Sequence, residues 1–304
     1  MESSEMAMDR LARAGWTEDM TTQQASSTTT NSVLVIGATG KVGRRVADLL
    51  DTRGVDVRRA SRSSATRFDW TDRTTWAPAL DGAGPVYISY QPDLIVSGAV
   101  DDVAELVRRA KSAGVTRLVL LAGRGEPEAE AAGRVVHAAA IDSTVLSCAW
   151  FDQNFSEGGF APEIAMGSLT LPVGAVGEPF IHTDDIAEVA VAALLDRAAG
   201  VNPHAGQTYD LTGPRLLTFA EAAAEIGRAR GVDILATEVT LDGYRQMLSQ
   251  YGLSSADIGV LMTLFGTLFD GRNSRIGNDV EHVLGRPARD FADFVNSEMM
   301  QQVS

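Results

Sequence analysis

The chain has 304 residues, 45% of them hydrophobic, enough for one large α/β domain or a domain with a smaller appendage. With 40 acidic against 26 basic side chains the formal net charge is -14, and no run of Lys or Arg offers phosphates a surface, which argues against nucleic acid as a partner. One cysteine, Cys148 in an apolar run, excludes an internal disulfide and suits a reducing cytoplasm; four scattered histidines without ligand spacing give no reason to expect a metal.

Residues 1–31 are rich in Ser, Thr, Gln and acids, with neither a basic start nor an apolar stretch. They read as a disordered leader, and Met20 suits an alternative start. No segment has the pattern of a membrane span. The first strong signal is Val33-Leu-Val-Ile36, a strand buried on both faces, followed by Gly37, Gly40 and Gly43 at the spacing of a dinucleotide-binding turn. Gly37 permits the turn, Gly40 lets a pyrophosphate approach, and Gly43 lets the next helix lie close, so Gly37, Thr39, Gly40, Lys41 and Val42 are expected to hold phosphates. Val42, Val46, Leu49 and Leu50 continue at helical spacing until Gly54, and a second strand opens at Val55.

At the exit of that strand an NAD site would place an acid for the ribose hydroxyl. The sequence offers Ser61 and Arg62 there, with Arg58 and Arg59 upstream, and guanidinium suits a 2′-phosphate; NADP(H) is therefore expected rather than NAD(H). A short strand, Thr66–Phe68, leads to Asp69, a candidate for the adenine amino group or for capping a turn. A helix begins near Thr74. The fourth strand, Val86–Ser89, delivers Tyr90 and Gln91 over the middle of the cofactor. A helix with Val100, Val103, Leu106, Val107 and Ala110 ends at Gly114. Strand five, Arg117–Leu121, exits through Ala122 and Gly123, and an alanine-rich helix over 129–140 carries His137. Strand six, Thr144–Cys148, leads to Trp150, Phe151, Asn154 and Phe155.

Six strands alternating with helices predict a doubly wound parallel sheet. Beyond Gly158 the alternation fails. A short extended piece at Leu169–Leu171 precedes a helix capped by Thr183 or Asp184 and reaching Leu195. A strand at Gln207–Leu211 and a capping box at Thr218 and Glu221 follow, the latter opening a helix to Arg230. Helices at 241–250 and 254–269 close the chain, the second so apolar that it suits a roof over an apolar pocket or a homodimer contact. The expected organisation is a cofactor domain of residues 32–157 with 178–215, and a smaller, mostly helical substrate subdomain of 158–177 with 216–304.

Together, Gly37-x-x-Gly40-x-x-Gly43, Phe68-x-Trp70 with Thr75-Trp76, Val86-Tyr87 with Pro92, Leu118–Leu121, Trp150-Phe151 with Asn154, and Asp184-Asp185-Ile186-Ala187 resemble the atypical short-chain dehydrogenase/reductases of the NmrA-like branch. Within that branch the pattern is similar to the reductases of ergot-alkaloid biosynthesis and their bacterial relatives. The resemblance implies a Rossmann fold and NADP(H). It also implies a serine, a tyrosine and a lysine four residues later, and these are missing: the only lysines are Lys41 and Lys111, neither with a tyrosine four residues before it, and Ala122 and Gly123 stand where the serine is expected.

Reducing an isolated ketone builds an alkoxide and needs a proton donor. An iminium gives a neutral amine, and a quinone or conjugated enone gives a delocalised anion, so positioning against nicotinamide can suffice. His137 and Asp152 are the candidate proton donors. Tyr90, Trp150, Phe151, Asn154 and Phe155 are the candidate walls for an aromatic or polycyclic substrate. The first reading is a cytoplasmic reductase of a quinone, enone or iminium in specialised metabolism. A second, motivated by the missing trio and the apolar helix, is a redox sensor that binds NADP(H) and docks to a protein. A third keeps the cofactor for an isomerase or cyclase step through Asp152 or His137.

Overall fold

The computed structural model of the chain describes residues 32–299 apart from residue 199; the expected disordered leader lies outside the described residues. The elements in order are β1 (Ser32–Ile36), α1 (Lys41–Thr52), β2 (Val57–Ser61), β3 (Thr66–Arg67), α2 (Trp76–Leu80), β4 (Ala83–Ile88), α3 (Ala99–Ser112), β5 (Arg117–Gly123), α4 (Pro127–His137) and β6 (Asp142–Cys148). There follow α5 (Asn154–Glu157), α6 (Ala161–Ala165), β7 (Ser168–Leu171), α7 (Thr183–Leu195), β8 (Gln207–Leu211), α8 (Phe219–Arg230), β9 (Leu235–Glu238), α9 (Leu241–Gln250), α10 (Ser255–Leu268), α11 (Asp279–Leu284) and α12 (Phe291–Phe294).

Seven strands form one sheet in the order β3-β2-β1-β4-β5-β6-β8, every pairing parallel. Such a sheet must be covered on both faces, which is why β1 is buried at every residue. Alternation along β1 sends Leu34 and Ile36 toward α3 and α4, with Val103, Leu106, Ala132 and Val136. Val33 and Val35 face α1 and α7, with Val46, Leu50, Ile186 and Val189. The strand order reverses between β1 and β4, the switch point where ligands sit in open sheets.

A third apolar cluster, dominated by Phe155, Phe160, Phe180, Phe219 and Phe291, lies apart from the two sheet faces and joins α6, α8, α9 and α10. It contains a two-stranded parallel sheet of β7 and β9. The sequence reading places no strand at β9: its four residues are mostly exposed, so no apolar alternation marks them, and only the backbone of β7 makes them a strand. The helix expected at 129–140 starts two residues earlier, with Pro127 in its first turn, and ends at His137. The cap of α7 is neither Thr183 nor Asp184 but His182, whose Nδ1 accepts from the Asp184 amide at 3.1 Å.

The acidic pair ahead of α7 is structural. Asp185 is fully buried and bound by the guanidinium groups of Arg286 and Arg289, while Asp184 pairs with Arg45 at 2.8 Å. Among the described residues no helix is long and apolar enough to cross a membrane, and no group of side chains could hold a metal ion.

Candidate active site

The turn after β1 is built as its glycines require. Gly37 has φ +80°, and a Cβ there would lie 2.9 Å from the Ser89 Cβ; a Cβ on Gly43 would lie 2.2 Å from the Gly37 carbonyl oxygen. Both positions therefore exclude side chains, and α1 is held against the turn. Gly40 precedes α1 without any side-chain cap, so the first-turn amides keep their donors for a ligand. The Lys41 ammonium makes no hydrogen bond or salt bridge among the described residues and approaches Gly158 across the opening. Burial lowers its pKa, an effect only partly offset by the Glu157 carboxylate. An unpaired, half-buried cation beside free helix-start amides fits a pyrophosphate.

From this turn a cavity of about 350 Å³ extends along the carboxyl ends of β4, β5 and β6. That size suits a small-molecule site. Gly40, Lys41 and Val42 stand at one end, Tyr90, Gln91, Ala122 and Gly123 along the middle, and Trp150, Phe151 and Asn154 at the far wall. Leu261, Leu264 and Leu268 of α10 form the roof. Other apolar residues of α10, Ile258, Met262 and Phe265, enter the third cluster, so packing within the chain accounts for the density that suited a dimer contact.

Tyr90 is held rigidly: its ring lies 4.5 Å from that of Trp70 and its hydroxyl donates to Asp102 at 2.9 Å. The Phe68-Trp70-Trp76 motif is the support for this wall, with the Trp70 indole donating to the Ser89 carbonyl at 3.1 Å. Trp150 is packed by Phe160, Phe265 and Phe269.

At the β2 exit, Arg62 is exposed and without a hydrogen bond or ion pair among the described residues, while the Ser61 hydroxyl accepts from the amides of Ser63 and Ser64 at 3.2 and 3.0 Å. The two upstream arginines are committed elsewhere. Arg59 binds Asp48 and Asp51 on α1. Arg58, expected to bind cofactor, donates to the Asp81 carbonyl at 2.7 Å, ahead of β4 and at the opposite end of the sheet from the cavity. Asp69 accepts from the Thr71 amide and hydroxyl, which is the turn-capping alternative. Those two bonds hold its carboxyl below the usual range.

Both expected proton donors stand away from the cavity. His137 ends α4 and contacts the Ser143 hydroxyl at 2.9 Å and the Thr208 hydroxyl at 3.0 Å, at the amino ends of β6 and β8. The helix runs antiparallel to the strands, so its last residue is carried to the far edge of the sheet. Asp152 is fully buried behind the wall, its two oxygens without any donor. Burial, reinforced by Asp185, raises its pKa far above the carboxylate range and keeps it neutral. The Arg124 guanidinium does not reach it: it binds Asp210 at 2.6 Å and the Asn273 carbonyl at 2.6 Å. Phe155, expected against substrate, is fully enclosed by Phe160, Phe180 and Phe291.

Three carboxyl groups that the sequence reading passes over do line the cavity: Asp93, Glu126 and Glu178. Glu178 accepts from the Trp150 amide at 3.1 Å, and burial pushes its pKa up to about 7. Glu126 is raised to about 9, first by burial and then by the neighbouring Asp93, to which its protonated carboxyl donates. Two carboxyls in contact cannot both ionise cheaply, so this pair shares a proton at neutral pH. The sequence signal available was only an acid just before Pro127 at a helix start, the commonplace pattern of a cap.

No protein-family model matches the chain. It is 30% identical over 280 residues to the uncharacterized oxidoreductase YesF of Bacillus subtilis, covering 87% of this chain and 94% of that one. The chain belongs to the NmrA-like atypical short-chain dehydrogenase/reductases. Agroclavine dehydrogenase of Claviceps fusiformis is 29% identical over 287 residues, 87% of this chain and 96% of that protein. Among solved structures, the NADPH-dependent quinone oxidoreductase of Escherichia coli complexed with NADPH superposes with a TM-score of 0.72 at 18% identity, covering 87% and 98% of the two chains. That likeness is one of fold. It agrees with the doubly wound sheet and helical carboxyl-terminal region of this family member.

Proposed function

We propose that this protein is an NADP(H)-dependent reductase of a flat, conjugated small molecule, a quinone, enone or iminium, acting in specialised metabolism. The observation that carries the reading is continuity: the glycine turn with its unpaired Lys41 opens into the same cavity as Tyr90, Trp150 and Phe151. Agroclavine dehydrogenase among the relatives supports the metabolic setting, and the quinone oxidoreductase supports the substrate range.

Bound NADPH supplies the hydride. The amides of Lys41 and Val42 and the Lys41 ammonium bind the pyrophosphate, with Gly37, Thr39 and Gly40 shaping the turn. Arg62 and the Ser61 loop take the 2′-phosphate, in the absence of any acid at the β2 exit that would select a free ribose hydroxyl. Gln91, Ala122 and Gly123 border the middle of the cofactor. Tyr90, Trp150 and Phe151 orient a flat substrate, Asn154 offers it an amide, and α10 keeps water away.

The test is loss of NADPH absorbance against a panel of quinones, enones and cyclic iminium ions. Turnover of at least one class at about 1–1000 s⁻¹ is expected. Tight NADPH binding with no turnover of any class overturns the reductase reading in favour of the sensor. The isomerase reading has no proton-transfer group left at the cavity among those that motivated it, since His137 and Asp152 both lie outside it.

A further inference from the structure

On the reductase reading, on which this inference rests, a quinone or enone substrate needs a proton as well as a hydride. The family's serine is missing at the β5 exit, yet the volume its side chain would enter is filled. A Cβ built on Gly123 would lie 1.7 Å from Glu126 Oε1 and 2.3 Å from its Cδ. The Glu126 side chain therefore curls back over Gly123, from the residue preceding α4, into the space that a side chain at 123 would otherwise claim.

The loop that does this is pinned. Arg124 donates to the Asn273 carbonyl at 2.6 Å, and the Asn273 side-chain amide donates to the Arg124 carbonyl at 3.1 Å. Glu126 is 5% exposed, and its Oε2 has no hydrogen-bond donor facing it. A carboxylate there would be a buried charge without a partner, costly by several kcal/mol, whereas a carboxylic acid is a donor aimed along a cavity wall. Asp93, from the β4 exit loop and less buried, lies beside it in the lining of the same cavity.

We infer that Glu126, sharing one proton with Asp93, is a catalytic residue: it gives its proton to the oxygen of a quinone or enone as the conjugated carbon is reduced, in the position left by the absent serine. The step balances. The substrate carbon gains the hydride of bound NADPH with both electrons, forming a C–H bond, and the displaced π pair moves to the substrate oxygen. That oxygen forms an O–H bond with the Glu126 proton, whose former bonding pair stays on the carboxylate. Bound cofactor leaves as NADP⁺, and the carboxyl pair recovers a proton from water on the Asp93 side. An iminium substrate ends as a neutral amine and draws no proton from Glu126.

Besides burial, the groups that raise the proton's affinity are Asp93 and Glu128 in the first turn of α4; Glu178, Arg124 and Lys41 also line the cavity, Arg124 being spent on Asp210. The acid form is lost as pH rises through about 9, so quinone and enone reduction falls there.

The experiment compares the full chain with its Glu126→Gln and Asp93→Asn variants. Infrared titration without cofactor should show one protonated carboxyl in the wild type that ionises near pH 9 and is missing in Glu126→Gln. NADPH affinity, read by fluorescence, should stay within about threefold. Quinone and enone turnover by Glu126→Gln should drop at least about 100-fold while iminium reduction changes little. In Asp93→Asn the alkaline limb should move to lower pH, because a charge that raises the Glu126 pKa is gone.

Undiminished quinone and enone turnover in Glu126→Gln overturns the assignment, as does an equal loss on iminium ions, which marks a structural role. An unmoved alkaline limb in Asp93→Asn also overturns it. Wild-type protein that binds NADPH and reduces none of the three classes instead defeats the reductase reading, and the donor role falls with it.

Discussion

Gly123 and Glu126 compete for one volume: an added Cβ at 123 would meet the Glu126 carboxyl at 1.7 Å. The obstacle is the end of a flexible side chain and not backbone, so Gly123→Ala should fold with a Tm within about 3 °C of wild type while the carboxyl is displaced. Turnover of a quinone should fall at least about tenfold, with NADPH affinity less affected. Differential scanning fluorimetry beside steady-state kinetics checks this, and a large Tm loss with normal residual kinetics contradicts it.

Lys41 trades stability for binding. Its ammonium is half-buried with no hydrogen bond or salt bridge among the described residues, and burial has lowered its pKa. Lys41→Met keeps the apolar stem and removes the desolvated charge, so the cofactor-free protein should melt no lower than wild type. NADPH and NADH affinity should both weaken by about 10- to 100-fold, the value of one charge-assisted hydrogen bond of about 1.5–3 kcal/mol. Titration calorimetry with each nucleotide measures it.

Arg62 should discriminate between the two nucleotides. It is exposed and unpaired among the described residues, so Arg62→Ala leaves Tm unchanged within about 1 °C. NADPH affinity should fall at least about tenfold and NADH affinity not at all, because only the former carries the 2′-phosphate. Equal loss for both would reassign the residue to the shared part of the cofactor.

Asp152 should make stability fall with rising pH. Its native pKa is raised, chiefly by burial, above that of the unfolded chain. Below about pH 4 both states are protonated and the native state carries no penalty. As pH rises past that point the unfolded chain ionises and gains, and the loss continues until pH passes the native pKa. Asp152→Asn is neutral in both states and lacks this slope. At pH 8 its Tm should exceed wild type by a few degrees, at about 2–4 °C per kcal/mol, and at pH 4 the advantage should vanish. A pH-independent difference between the two proteins would refute the argument, and activity should be unchanged because Asp152 is outside the cavity wall.

His137 gives the converse case. Its contacts with the Ser143 and Thr208 hydroxyls tie α4 to the amino ends of β6 and β8. His137→Ala should cost about 1–2 kcal/mol in urea denaturation and leave kcat/KM for any accepted substrate unaltered. A selective loss of turnover would restore the catalytic role that the structure withholds.

Local chemistry made much of this protein legible in its residues alone. The run Val33–Ile36 with glycines at 37, 40 and 43 defines a strand, a turn and a helix start largely from local demands: Gly37 takes a positive φ, and Gly43 packs against the Gly37 carbonyl, although the close approach of Ser89 to Gly37 comes from the β4 exit. Strand and helix periodicity gave the sheet for the same reason, and Tyr90, Trp150 and Phe151 followed from the rule that strand exits face the ligand. Distances between segments are another matter. Whether His137 meets the cavity depends on which end of α4 lies beside which end of the sheet, and whether Asp152 faces ligand or core depends on α7 and α12 behind it. The Glu126 carboxyl occupies the volume beside Gly123 and meets the Asp93 charge only because the exits of the neighbouring strands β4 and β5 lie side by side. Burial and the proximity of a second acid shift those protons, and both are properties of the packed chain rather than of its order.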